Sequence, residues 1–192
     1  MKLRVVESLD EMIPTFEAAS ATDHPNAYNY RVDAFRMRWK HYELFTVLED
    51  GSGVLSFCGV ASYGHINRGG TKIKLVRVAD RLFTFDRNRK KTLSMHHVTI
   101  RPAVDYFIPY HTKWAFEQGY EAFFSVQEQR KRASMERVVN MLDPALGYKM
   151  LPDLYCTTPN PEHELSWQNV AATTTKIHLP SRRLHIPQKE SG

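Results

Sequence analysis

The sequence predicts an α+β domain, a mixed α/β sheet that is central, mostly antiparallel and flanked by helices. Three observations predict it. Apolar runs rich in Val and Phe at 44–50, 54–63 and 73–85 are joined by Gly51-Ser52-Gly53 and by Asn67-Arg68-Gly69-Gly70, the pattern of consecutive hairpins. Two N-terminal segments, 8–20 and 27–42, instead place apolar residues at helical spacing. From Tyr106 onward, helical and strand patterns alternate, so strand–helix–strand units follow the hairpins.

Element by element, Leu3 to Val6 is a short apolar first strand. Ser8 stands three residues before Glu11, a capping box that opens a helix with Met12, Phe16 and Ala19 on its apolar face. Pro14 is expected near its first turn, where proline is tolerated. Thr22-Asp23-His24-Pro25-Asn26 ends it. The segment 27–42 is rich in aromatics and arginines, and helical spacing puts Arg31, Phe35 and Trp39 near one face. Two readings stay open there: aromatics packed in a core, or an aromatic wall of a substrate cleft or nucleic-acid stacking surface. Gly59 interrupts the apolar strand 54–63, the mark of a bulge or a close backbone approach. The strand 73–85 runs into the cationic stretch Arg87-Asn88-Arg89-Lys90-Lys91. Tyr106 to Tyr120 reads as a helix ending at Gly119, with Pro109 in its first turn. Glu121 to Val126 is a strand and Gln129 to Leu142 a helix, with Met135, Val138, Val139 and Leu142 on one face. Tyr155 to Thr157 and Val170 to Ile177 are the final strands. The expected organisation is one domain over 1–178 and a C-terminal tail over 179–192.

Composition narrows the classes. At 192 residues the chain buries a sizeable core without needing disulfides or a metal. No run approaches the ~18 apolar residues of a membrane span, and the N-terminus carries no apolar signal segment. The expectation is a cytoplasmic protein with no membrane partner. Cys58 and Cys156 lie in apolar strands with no metal-ligand spacing, so both read as buried thiols and no metal site is expected. The net charge of +5 sits in short runs rather than a long stripe. It favours local anion sites over a nucleic-acid track.

This order of elements, over about residues 3–157, resembles the GNAT superfamily of acyl-CoA-dependent N-acyltransferases. Leu44–Asp50, Gly51–Gly53 and Val54–Tyr63 look like that family's second and third strands. Leu82-Phe83-Thr84-Phe85-Asp86-Arg87-Asn88-Arg89-Lys90-Lys91-Thr92 is similar to the end of its fourth strand and its pyrophosphate loop. Phe123-Phe124-Ser125-Val126, the next helix and Asp143 to Tyr148 look like its fifth strand, fourth helix and Gly-aromatic pair. The resemblance implies a three-layer fold with a splayed sheet. It implies acetyl-CoA, or a related acyl-CoA, as co-substrate. It places the thioester on the backbone of Phe83 and Thr84 and the phosphates on Arg87, Arg89, Lys90 and Lys91. Lys90 and Thr92 stand where the family has glycines, so charge replaces the usual cradle of backbone amides. Asp143 stands where the family often has a tyrosine acid.

Acyl transfer to an amine needs a neutral amine, donors for the oxyanion and a proton for the thiolate. Asp80 is the candidate base, directly or through water; the plainer reading is a strand residue paired with a neighbouring arginine. Tyr63, at the end of its strand, is a candidate proton donor or cleft wall. His111, His96 and His97 are candidates because histidine titrates near neutral pH. The expected function is therefore transfer of an acetyl or acyl group to a small-molecule or peptide amine. The alternatives are a GNAT-shaped module without catalysis and, less favoured, a basic nucleic-acid-binding protein using Arg31 to Trp39, Arg87 to Lys91 and Arg130 to Arg132.

Overall fold

In the computed structural model, residues 1–20, 32–84, 100–127, 132–150, 154–157 and 164–172 are described. The frame is a run of antiparallel strands: β1 (Lys2–Val5), β2 (Tyr42–Asp50), β3 (Gly53–Arg68) and β4 (Thr71–Thr84). β4 pairs in parallel with β5 (Glu121–Gln127), and β5 pairs antiparallel with β8 (Glu164–Ala172). The other edge of β8 takes the two-residue β6 (Lys149–Met150) at one end and β7 (Leu154–Thr157) at the other. The strand order is β1-β2-β3-β4-β5-β8-β6, with β7 on β8.

The two hairpins follow from turn chemistry. Gly51 and Ser52 join β2 to β3, and the Asp50 carboxylate accepts from the Ser52 amide at 2.8 Å and its hydroxyl at 2.6 Å. Gly69 and Gly70 join Arg68 to Thr71, both at positive φ (54° and 87°), as a type I′ hairpin turn demands. The Gly70 amide donates to Asn67 Oδ1 at 3.0 Å.

Side chains alternate across β2 and sort the core into two layers. Phe45 and Val47 face helices α1 (Leu9–Ser20) and α2 (Val32–Trp39), with Phe16, Phe35, Phe57 and Phe83. Phe16 stacks on Phe35 at 3.8 Å between ring centroids. The aromatics of the second helix are therefore core: Phe35 is buried and Trp39 packs at 5.1 Å from the Phe45 ring. Leu44, Thr46 and Leu48 face the opposite side. There α3 (Ile108–Glu117) and α4 (Arg132–Met141) pack Ile108, Ala115, Met135 and Val138 against Val60, Val76, Val78, Ala122 and Phe124. On α3 the buried residues are Ile108, His111, Thr112 and Ala115, the i, i+3, i+4, i+7 stripe of a half-buried helix.

The Ser8–Glu11 capping box forms as the sequence predicts: Glu11 Oε1 accepts from the Ser8 amide at 3.2 Å and Ser8 Oγ from the Glu11 amide at 3.4 Å. Several boundaries differ from expectation. Pro14 is the sixth residue of α1 rather than part of its first turn. β3 continues five residues beyond Tyr63, because the Gly69-Gly70 turn closes the hairpin there. The α3 path begins earlier than Tyr106, at Ile100–Pro102, and widens into a π-helical turn over Ala103–Phe107. The Ile108 amide donates to Ala103 five residues back, a wider turn that accommodates Pro109, which has no N–H to give. The last strand runs from Glu164, six residues before the expected start, and β6 is an addition. The expected ends at Ile177 and the tail 179–192 lie outside the described residues.

Candidate functional site

β4 leaves regular geometry over Val78–Leu82. Its register with β3 reads Phe57↔Phe83, Gly59↔Asp80 and Ala61↔Arg77. Twice, two β4 residues oppose one β3 residue: Arg81 and Leu82 against Cys58, then Val78 and Ala79 against Val60. These are consecutive β-bulges. Ala79 and Arg81 take φ of 51° and 52°, left-handed values for residues with a Cβ. Such conformations cost about 1–2 kcal/mol each, and they bracket Asp80.

The same stretch opens on its other edge. β4 pairs with β5 at only three positions, Leu75↔Glu121, Val76↔Ala122 and Arg77↔Phe123. Beyond Arg77 the strands part: β4 runs on to Thr84, while β5 from Phe123 pairs with β8. The edge of β4 from Val78 to Thr84 thus lies along a divergence in the sheet.

Asp80 is held on the α1–α2 side. Its Oδ2 accepts from the Tyr42 hydroxyl at 3.3 Å, and its Oδ1 pairs with Arg77 at 3.3 Å. The carboxylate side chain keeps 12% exposure, so it is not a freely solvated group. Burial and the Asp80 charge push the Tyr42 phenol well above its ordinary range, so Tyr42 stays protonated and donates. Gly59 makes this contact feasible: a Cβ there would overlap the Tyr42 ring. The glycine visible in the sequence is thus a slot for an aromatic ring.

His111 lies beneath the same bulge, on the α3 side. Its ring is fully buried, and its Nδ1 accepts from the Ala79 amide at 3.2 Å. Its Nε2 lies 2.7 Å from Thr46 Oγ1, and that hydroxyl donates to the Cys58 carbonyl at 3.4 Å. Accepting at Nδ1 leaves the proton on Nε2, the neutral tautomer. Burial favours the same state and pulls the imidazole down to about 3. The Cys58 thiol is fully buried, and desolvation together with Asp80 pushes it well up, so it is a neutral core group.

The remaining sequence candidates fall in distinct places. Tyr63 packs edge-on against Phe123, with centroids 4.8 Å apart, where β4 and β5 begin to part. Phe83 is buried with its ring 5.2 Å from Phe57. Thr84 Oγ1 accepts from Ser56 at 3.0 Å. Asp143, in the position of the expected tyrosine acid, accepts from the Ala145 amide at 2.9 Å and caps a short 3-10 turn over Pro144–Leu146. Tyr148 is buried with its hydroxyl 2.6 Å from that of Thr112. Arg87, Arg89, Lys90, Lys91, His96, His97, Arg31, Arg130 and Lys131 lie outside the described residues.

Asp80, Arg77 and Tyr42 are brought together; Tyr63 packs on Phe123, the register partner of Arg77, and His111 lies on the opposite, α3 side of the sheet. Tyr42 and Thr46 escaped sequence reasoning. Tyr42 had a signal, since a glycine interrupting a strand implies something lying over it. Thr46 had none beyond a hydroxyl among apolar neighbours. No helix among the described residues is long and apolar enough to cross a membrane. No group of three or more His, Cys, Asp or Glu able to hold a metal occurs among them.

No family model and no curated protein matches the sequence. Among solved structures, the chain is similar in shape to three acetyltransferases. Aminoglycoside 6'-acetyltransferase type Ii shares 12% identity over 91% of this chain and 97% of its own, with a TM-score of 0.48. The aminoglycoside 6'-N-acetyltransferase from Enterococcus faecium shares 12% over 90% and 96%, with a TM-score of 0.47. A GCN5-related N-acetyltransferase from Kribbella flavida shares 14% over 89% and 95%, with a TM-score of 0.46.

Proposed function

We propose that the protein is a divergent GNAT-type N-acyltransferase that moves an acetyl or acyl group from an acyl-CoA to a small-molecule or peptide amine. The observation that carries this reading is the parting of β4 from β5 beyond Arg77, with Asp80 held at the bulge beside it. An extended pantetheine arm fits a strand edge, because it offers amides at intervals a β-strand can match. On this reading the edge from Val78 to Thr84 receives that arm, with backbone amides of Phe83 and Thr84 toward the thioester carbonyl. The cations Arg87, Arg89, Lys90 and Lys91 follow directly in the sequence and meet the phosphates.

Asp80 then takes the proton from the attacking ammonium, directly or through one water, so that a neutral amine attacks the carbonyl. The C–N bond forms, the attacking nitrogen gives up its second proton to water, the tetrahedral oxyanion collapses, the C–S bond breaks and CoA leaves as the thiolate, which takes up a proton from water or a nearby donor. Tyr63, at the start of the divergence, lines the acceptor side.

Calorimetric titration with CoA and acetyl-CoA tests the reading. The expected result is binding that is lost when Arg89→Ala and Lys90→Ala are combined. Acetyl transfer to a panel of amines should fall by about 100-fold or more in Asp80→Asn, with CoA affinity retained. Absence of CoA binding at millimolar concentration would overturn the reading. CoA binding without transfer to any amine would leave a GNAT-shaped binding module. Binding of a short DNA with a steep salt slope would point to the nucleic-acid alternative.

A further inference from the structure

The β4 bulge is held from both faces. Above the sheet, the Tyr42 ring fills the slot left by Gly59 and its hydroxyl holds Asp80 Oδ2. Below it, the Ala79 amide points away from the β3–β4 ladder, since Ala79 has no Cα partner in β3. A buried amide without an acceptor costs about 1–3 kcal/mol, and His111 Nδ1 supplies that acceptor.

We infer that His111 is a positioning residue for Asp80: its neutral imidazole fixes the Ala79 amide and thereby holds the bulge that aims the Asp80 carboxylate at the divergence between β4 and β5. The chemistry suits imidazole. The site has one orphan donor, the Ala79 amide, and one hydroxyl, Thr46, on opposite sides of the ring. A neutral imidazole offers one acceptor and one donor at fixed separation. The Thr46 hydroxyl in turn donates to the Cys58 carbonyl, so each member of the chain has a partner. Cys58 is the residue opposite Arg81 and Leu82, so the network also anchors β3 at the second bulge. Without the acceptor, β4 gains by sliding back into regular pairing. A one-residue slip sends each side chain to the other face of a sheet, which would carry the carboxylate away from Tyr42.

That Asp80 acts on substrate rests on the proposed function; that His111 sets its position does not. The test therefore reads structure without cofactor or turnover. In the wild-type protein, 15N NMR of His111 should show the proton on Nε2 and a bare Nδ1. In His111→Phe, hydrogen exchange at the Ala79 amide should speed up by about tenfold or more, and the Asp80 carboxyl carbon signal should move. His111→Gln offers a carbonyl acceptor and an amide donor and should restore both. Val138→Ala, a comparable core lesion in α4, should change neither, which separates positioning from general destabilisation. A proton on Nδ1 in the wild type would overturn the inference. So would unchanged Ala79 exchange and Asp80 signal in His111→Phe, or failure of His111→Gln to restore them. Should His111→Phe not fold, the wild-type tautomer and His111→Gln decide. If these readouts hold while no acyl transfer is found, the proposed function fails and the positioning role stands.

Discussion

The two halves of the β3–β4 hairpin are built from the same pair of strands and obey different rules. Near the turn, pairing is consecutive and without slips, from His65↔Lys74 to Arg68↔Thr71. His65, Asn67, Thr71 and Lys72 are exposed there. In the far half the register slips, two residues with side chains take left-handed conformations, and buried polar groups crowd both faces. The near half is decided by its own turn. The far half is decided by contacts with β2, α1, α2 and α3. Backbone strain persists only where neighbours over-determine it, so the far half is where a functional geometry can be stored.

The largest expected effect breaks that asymmetry at its packing. Phe57 is fully buried, pairs with Phe83 in the ladder, and its ring meets Phe16, Phe35 and Phe45. Phe57→Ala should cost about 3–5 kcal/mol in urea unfolding. Lys72→Ala in the near half should stay within about 0.5 kcal/mol. Equal costs would mean that the two halves do not differ in what holds them.

Acid should discriminate next. His111 binds its proton at about 3 in the folded protein, well below the ordinary histidine value of 6.5. Between those values the unfolded chain binds one more proton than the folded one at this site, so stability falls as pH falls. The slope is about 1.4 kcal/mol per pH unit, or roughly 3 kcal/mol by pH 4. Because glutamine does not titrate, the stability difference between wild type and His111→Gln should shrink or reverse over this range. A pH-independent difference would show that His111 is not a buried neutral base.

The hairpins, the capping box and the apolar stripe on α4 were legible because each is written in neighbouring residues. Gly69-Gly70 announces a turn and Ser8-x-x-Glu11 a helix start regardless of the rest of the chain. The bulges were not legible. The run 73–85 looks like a strand with imperfect alternation, placing Leu75 and Val76 side by side and then Leu82 and Phe83. Those doublets reflect a strand packed on both faces; the slips themselves fall at Val78–Ala79 and Arg81–Leu82, and their location depends on a histidine 32 positions from Ala79 along the chain. The role of His111 was hidden for the same reason: an isolated histidine reads as a proton carrier, and only the fold shows both ring nitrogens engaged. Of the two readings of Asp80, the pairing with a neighbouring arginine is seen in the fold, with Arg77 as the partner.

The two smallest effects separate two uses of glycine within one hairpin. Gly59→Ala meets ordinary backbone but occupied space, since its Cβ would overlap the Tyr42 ring. Overpacking of this kind costs about 1–3 kcal/mol, and the displaced ring should take its hydroxyl off Asp80. Both the urea midpoint and the Asp80 carboxyl carbon signal should therefore move. Gly70→Ala meets open space but a φ of 87°. Its cost should be about 1 kcal/mol, seen as a lower urea midpoint with the Asp80 signal unchanged. The turn fixes where the strands pair, but the bulge is held by His111 and Tyr42, so strain at the turn has no route to Asp80 while the ladder between them stays intact. An Asp80 signal that moved in Gly70→Ala would show that the near half also sets the register of the far half.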